Sequence, residues 1–248
     1  MRILPLLTLA VSFGLFLPAT AQFGGSGAGP GGPNFSGAMV KFFGDHKAFS
    51  ADVEVESNPA ATGMMTVPGK LAVADKKSRF EIDLGGASGD GLPPGMAEQM
   101  KQMGMDKLTM LGHRDKQLTY LIYPGLKAYV EMSLKNDLAD EAEAKVEITE
   151  LGKEKLDDQE CVKNRIVVTE KSGKTHEAIV WSAVALKKFP LKLETRQNGT
   201  PVSMRFKHVK LEKPSADQFE PPKDFTKYDS AMALMQSEMM KRLGGPGN

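Results

Sequence analysis

The hydrophobic positions of this chain recur mostly with a period of two. Phe49, Ala51, Val53 and Val55 alternate with Ser50, Asp52, Glu54 and Glu56, the pattern of a strand with one buried face and one wet face. Leu71 and Val73 begin a second strand, and Phe80, Ile82 and Leu84 alternate with Arg79, Glu81 and Asp83 in a third. Leu108–His113, Leu118–Tyr123 and Leu126–Met132 predict a meander, turned by Arg114-Asp115-Lys116 and by Pro124-Gly125. Val146–Leu151 and Val162–Val168 then lead through Lys171-Ser172-Gly173-Lys174 to Thr175–Trp181. Leu191–Arg196 meets Val202–Leu211 across Gln197-Asn198-Gly199-Thr200, where Asn-Gly is a strong hairpin signal. In that last strand the apolar parity changes between Phe206 and Val209, and a β-bulge near Lys207 or His208 restores it.

Helical spacing replaces this period in two places. Pro93-Pro94 starts a segment with Met96, Met100 and Met103 on one face, stopped by Gly104. A second helix is expected from about Ser230 to Arg242, with Met232, Met235 and Met239 on one side. About ten antiparallel strands with one apolar face each predict a mainly antiparallel β fold. The pattern implies a strongly curved sheet or an open barrel, with one or two helices beside it. The curved apolar face must be covered or exposed; where the cover is incomplete it becomes a pocket for acyl chains. A methionine-faced helix suits such a lid, because methionine is unbranched and adaptable. Val53, Val55, Leu71, Val73, Phe80 and Ile82 are the candidate cavity wall, Met96, Met100 and Met103 the cover, and Trp181 the far edge or core.

The chain ends change the compartment. Arg2, the charge-free run Ile3 to Pro18 and Ala19-Thr20-Ala21 form a signal peptide, with cleavage after Ala21 and a periplasmic product. Residues 22–44 are rich in Gly, Ser and Pro and predict a flexible tether, so the folded domain is expected over 45–228, followed by a C-terminal helix and frayed tail over 229–248. Gly27, Gly29 and Gly32 satisfy G-x-G-x-x-G, but Pro30 interrupts them and no strand precedes them.

Charge and chemistry narrow the function. The 248 residues carry 32 basic and 31 acidic side chains, and no basic stripe gathers them, so no nucleic acid is expected as a partner. Cys161 is the single cysteine, so no intramolecular disulfide forms, and its strand context suits a quiet buried thiol. His46, His113, His176 and His208 are scattered, and neither H-E-x-x-H nor C-x-x-C occurs. Ser88 lies in Gly86-Ala87-Ser88-Gly89-Asp90, which departs from G-x-S-x-G. A non-catalytic protein without cofactor is therefore expected. Two alternatives stand beside a binder of apolar ligands: a structural or envelope-interaction protein with a fully packed core, and a Cu(I) binder using the soft thioethers of Met96, Met100, Met103 and Met105.

Four stretches, in order, carry a resemblance to a known family. They are His46-Lys47-Ala48-Phe49-Ser50-Ala51, then Gly69-Lys70-Leu71 through Arg79-Phe80, then Asp115-Lys116 with Leu118–Tyr123-Pro124, and finally Ala216-Asp217-Gln218-Phe219-Glu220-Pro221-Pro222. Over about residues 45–228 the chain resembles the periplasmic lipoprotein-carrier (outer-membrane lipoprotein-sorting) superfamily. The resemblance implies a helix-covered half-barrel that holds acyl chains, with a lipid or acylated ligand and an envelope protein as partners. The carriers place an Arg-Pro pair before the position of Arg79-Phe80; here that stretch reads Asp75-Lys76-Lys77-Ser78. The fold and an apolar-binding role follow from the resemblance, and the lipoprotein shuttle does not.

Overall fold

The structure, a computed structural model, describes residues 41–58, 63–133, 144–197 and 199–244. The signal peptide, most of the predicted tether, Asn198 of the Asn-Gly turn and the Gly-Pro-Gly tail lie outside the described residues.

The period-two segments form twelve strands: β1 (Ala48–Ser57), β2 (Met65–Ala74), β3 (Lys77–Asp83), β4 (Lys107–His113), β5 (Leu118–Tyr123), β6 (Ala128–Ser133), β7 (Lys145–Leu156), β8 (Gln159–Thr169), β9 (Thr175–Ala183), β10 (Phe189–Gln197), β11 (Thr200–Lys210) and β12 (Thr226–Tyr228). Helix α1 spans Met96–Gln102 and helix α2 spans Ala231–Leu243. One sheet holds all the strands in the order β12-β6-β5-β4-β3-β2-β1-β11-β10-β9-β8-β7. Every pairing is antiparallel except that of β12 with β6. β12 and β7 are not paired to each other, so the sheet is open.

The sheet is strongly curved. Phe49 on β1 and Phe189 on β10 are two strands apart, which is about 10 Å in a flat sheet, yet their ring centroids lie 4.9 Å apart. The concave face carries the main core, which takes Val53 and Val55 from β1, Leu71 from β2, Phe80 and Ile82 from β3, and Val168, Val180, Leu193 and Phe206 from the other half. Each such side chain contributes on the order of 1.5–3 kcal/mol by leaving water. The packed region begins before the expected domain start: Phe42 and Phe43 are buried, and Phe43 stacks on Phe49 and meets Phe189 and Phe206.

Several boundaries differ from the expected ones. There are twelve described strands rather than about ten. β2 begins at Met65, well before Leu71. Leu126 belongs to a short 3-10 turn, and β6 starts at Ala128 after Lys127 adopts φ 47°. α1 starts after Gly95, whose φ of 78° breaks the chain direction set by Pro93-Pro94.

The first half of the sheet is covered on both faces. After β11 the chain crosses the convex face, where Phe219 sinks between Ala72 and Ala74, small enough to leave a slot. Arg79 donates to the Gln218 carbonyl at 2.9 Å, His113 Nε2 donates to the Phe219 carbonyl, and Glu220 pairs with Lys77 at 2.6 Å. This strap delivers β12 to the edge of β6 and then α2, whose Leu234 packs on Leu108, Leu121, Tyr123, Ala128 and Val130 of the concave face.

Candidate ligand site

The site lies where the β7–β8 turn, the β9–β10 connection and the end of β11 converge. A cavity of about 380 Å³ opens there, floored by Leu186, Leu191, Phe206 and Val209. Two ladder irregularities build the floor. Between β1 and β11, Asp52 faces Lys207 while Ser50 faces Lys210, so β11 carries one extra residue, and His208 takes φ 49°. That is the bulge expected from the parity change, and it brings Val209 to the same cavity as Phe206. Between β9 and β10, Ser182 faces Pro190 and Trp181 faces Lys192, leaving Leu191 without a register partner. Bulges re-aim side chains in this way. Leu186 ends the 3-10 turn Val184–Leu186, and Lys187 and Lys188 both adopt positive φ to bring the chain into β10.

The rim is charged and internally paired. Asp157, Gln159, Lys207 and His208 line it. Arg205 bonds Asp157 and holds its carboxyl below the usual carboxylate range. Lys207 pairs with Glu54 at 2.7 Å, and His208 Nδ1 with Asp52 at 2.7 Å. The arrangement is an apolar floor below a polar mouth, as in small-molecule sites of roughly 300–1,000 Å³. A smaller cavity of about 210 Å³ adjoins His208, with Lys70, Arg79, Glu81 and Lys210 on its wall together with Leu71 and Ala72.

None of the residues expected from sequence as cavity wall lines the 380 Å³ cavity. Val53, Val55, Leu71, Phe80 and Ile82 sit in the main core, and Val73 packs against it. Met96, Met100 and Met103 lie on or beside α1, which buries none of its own residues, and Met96 is exposed. Trp181 is buried with its ring under the Lys163 and Lys192 ammonium groups, 4.7 and 4.8 Å from its centroid, and its indole N–H donates to Glu154. The four cavity-floor residues were missed, although the parity change at Phe206–Val209 pointed at two of them.

The histidines separate: His46 bonds the Lys187 carbonyl, His113 the Phe219 carbonyl, His176 Glu170 and His208 Asp52. No group of three or more His, Cys, Asp or Glu that could hold a metal ion occurs among the described residues. Cys161 is buried, and that burial pushes its thiol up, away from the reactive thiolate.

The open, curved antiparallel sheet with partial helical cover is a half-barrel, and several solved structures are similar to this chain. A LolA superfamily protein of Nitrosomonas europaea is 8% identical over 74% of this chain and 94% of that one, with a TM-score of 0.35. An outer membrane lipoprotein-sorting protein domain of Vibrio parahaemolyticus is 15% identical over 75% and 96%, with a TM-score of 0.34. Lipoprotein LppX of Mycobacterium tuberculosis is 8% identical over 73% and 94%, with a TM-score of 0.40. At these values the likeness carries over neither a ligand nor a role. The sequence matches no protein-family model and no curated protein.

Proposed function

We propose that this protein holds an apolar, acyl-type ligand in the bacterial envelope without transforming it. The carrying observation is the 380 Å³ cavity, whose floor of Leu186, Leu191, Phe206 and Val209 has no side chain able to hydrogen-bond water. Water in such a space is poorly satisfied, whereas each methylene of an acyl chain entering it gains about 0.8 kcal/mol. The polar mouth leaves a ligand headgroup in contact with Lys207, His208 and Asp157 rather than with the core. Export follows from Arg2, the apolar run and Ala19-Thr20-Ala21, and no helix among the described residues is long and apolar enough to cross a membrane. An envelope protein that loads or receives the ligand is the partner this function implies.

Native mass spectrometry of the exported protein tests this function, read for co-purifying lipid and for capture of an added pyrene-labelled acyl probe. Leu186→Trp places an indole in the cavity from a half-buried turn position, so it should abolish capture at that cavity and leave the melting temperature nearly unchanged. Wild type that melts cooperatively and captures no apolar probe would overturn the proposal.

A further inference from the structure

We propose that the 210 Å³ cavity on the convex face is a phosphate-binding site, with Lys70 and Lys210 as its cations and the Ser50 hydroxyl as a third donor. The site goes beyond the apolar-ligand function and holds whether or not the larger cavity is filled.

Short side chains in register make the depression. Ser50 on β1 faces Ala72 on β2 and Lys210 on β11, and Ala72 faces Arg79 on β3. The row Arg79-Ala72-Ser50-Lys210 therefore crosses four strands, about 14 Å at the usual strand spacing. Its ends carry long cationic side chains and its middle carries two short ones. Lys70, two residues along β2 from Ala72, flanks the gap, and Gln218 of the strap stands beside Arg79. Lys210 reaches this face only because of the bulge in β11. An unbroken alternation from Lys207, which faces Asp52, would put Lys210 on the opposite face, and the extra residue restores it to the face of Lys207. The irregularity that brings Val209 to the apolar cavity thus also brings Lys210 to the polar one.

The charges on this wall are unequally partnered. It holds three cations, Lys70, Arg79 and Lys210, and two carboxylates, Asp52 and Glu81, beside His208. Both carboxylates are already bonded: Glu81 accepts from Arg79 at 2.6 Å, and Asp52 pairs with His208 at 2.7 Å. Arg79 is further engaged by the Gln218 carbonyl at 2.9 Å. Lys70 and Lys210 make no ion pair with a described residue, and the Ser50 hydroxyl makes no hydrogen bond with one. Two ammonium groups without partners in one concave wall favour an anion between them.

The class of anion follows from the donors and the carboxylates together. Donors from β1, β2 and β11 meet the cavity from different directions, which suits the several oxygens of a tetrahedral oxyanion, and lysine binds phosphate as a point charge. The carboxylates then select among such anions. Inorganic phosphate keeps a proton at neutral pH, and a phosphomonoester keeps one in part. That O–H donates to a carboxylate of the wall. Sulfate has no proton to give and meets the same carboxylates with repulsion alone. His208 lines both cavities, so free phosphate and the phosphate headgroup of a lipid held in the larger cavity are the two sources to separate.

The test titrates inorganic phosphate into the exported protein at fixed ionic strength, so that general screening stays constant. The amide resonances of Ser50, Lys70, Ala72 and Lys210 should shift together and saturate. Lys70→Met and Lys210→Met alter exposed side chains and should melt as wild type does. Each should weaken phosphate binding about three- to tenfold, the worth of one charged hydrogen bond at a partly screened site. Lys174→Met, on the β8–β9 turn, should leave it unchanged. Sulfate should bind about tenfold more weakly than phosphate. Dodecyl phosphate separates the sources: a lipid headgroup site binds it more tightly than phosphate and loses that gain in Leu186→Trp, whereas a free-phosphate site binds both alike. No saturable shift in wild type, sulfate binding as tight as phosphate, or lysine variants that bind like wild type would each overturn the site. Capture of the pyrene-labelled acyl probe is read separately, so the apolar-ligand function stands or falls on its own.

Discussion

The two halves of the sheet share one backbone design and differ in how their faces are covered. In β4 and β5 both faces are buried: Leu108 and Leu121 pack under α2, while Leu111, Tyr120 and Ile122 form a separate cluster on the convex side. At the opposite edge β7 is exposed along nearly its whole length, and Val146, Ile148 and Leu151 face solvent beside buried Val168 and Ile166. The difference on the concave side comes from α2, which covers β4–β6 and not β7, while the strap after β11 closes the convex side of the same first half. The strap-covered half buries both of its faces and leaves an unsatisfied tyrosine hydroxyl, that of Tyr123, inside it. The less covered half gains bulges at Leu191 and His208 and, with them, an open apolar cavity.

Removing the strap's plug should have the largest effect on this contrast. Phe219 is 1% exposed between Ala72 and Ala74, and truncating a buried phenylalanine costs about 3–5 kcal/mol. Phe219→Ala should lower the melting temperature by roughly 10 °C for a domain of this size, with loss of β12 pairing visible as faster amide exchange at Thr226–Tyr228. A melting temperature within a degree or two of wild type would show that the strap lies on the convex face without stabilising it.

A smaller effect is expected from the ion pair that fastens the strap's end. The hydrogen bond from Lys77 is the main cause holding the Glu220 carboxyl below its usual range, with Lys116 adding to it. A carboxyl whose folded pKa lies below its unfolded value stabilises the fold fully above the unfolded pKa, about 4.3 for Glu. That contribution is lost as pH falls through the depressed folded value. The pair is partly exposed, so Lys77→Met should cost only about 0.2–1 kcal/mol at pH 7. The difference between variant and wild type should vanish at pH 2 in denaturant titrations. A difference that persists at pH 2 would mean that the lysine acts through its packing and not its charge.

These contrasts were unevenly legible in the sequence. Phe49 to Val55 alternate cleanly because β1 has one wet face, and the change of parity after Phe206 exposed the bulge because an extra residue must shift that alternation. The run Ala178-Ile179-Val180-Trp181 is apolar on both sides, so nothing in it told that Trp181 is capped by Lys163, Lys192 and Glu154, which come from other strands. The three residues of β12 are too few to show a period, and their parallel pairing depends on the strap that delivers them. Met96, Met100 and Met103 share a helical stripe, but a stripe does not say what it faces, and the described α1 leaves them at the surface margin. The cavity floor was hidden for a different reason. Leu186 and Leu191 come from a turn and a bulge, which carry no period, although the β10–β11 hairpin is what brings them to Phe206 and Val209.

The smallest effect expected is also the sharpest check on the contrast. Ile148 is 64% exposed on the edge strand, with the same β-branched shape as threonine at its Cβ. Ile148→Thr keeps that branching and the strand propensity, and it removes apolar surface that the folded protein already leaves in water. The stability change should stay within about 0.5 kcal/mol, as for other exposed positions, and the cost per residue should be far below that of Phe219→Ala. The comparison needs nothing beyond parallel denaturant titrations. A loss above about 1 kcal/mol would mean that another part of the chain or a second copy covers the β7 face in solution. The uncovered half would then be covered after all, and the asymmetry between strap-covered and open halves would fail as the explanation for where the cavity lies.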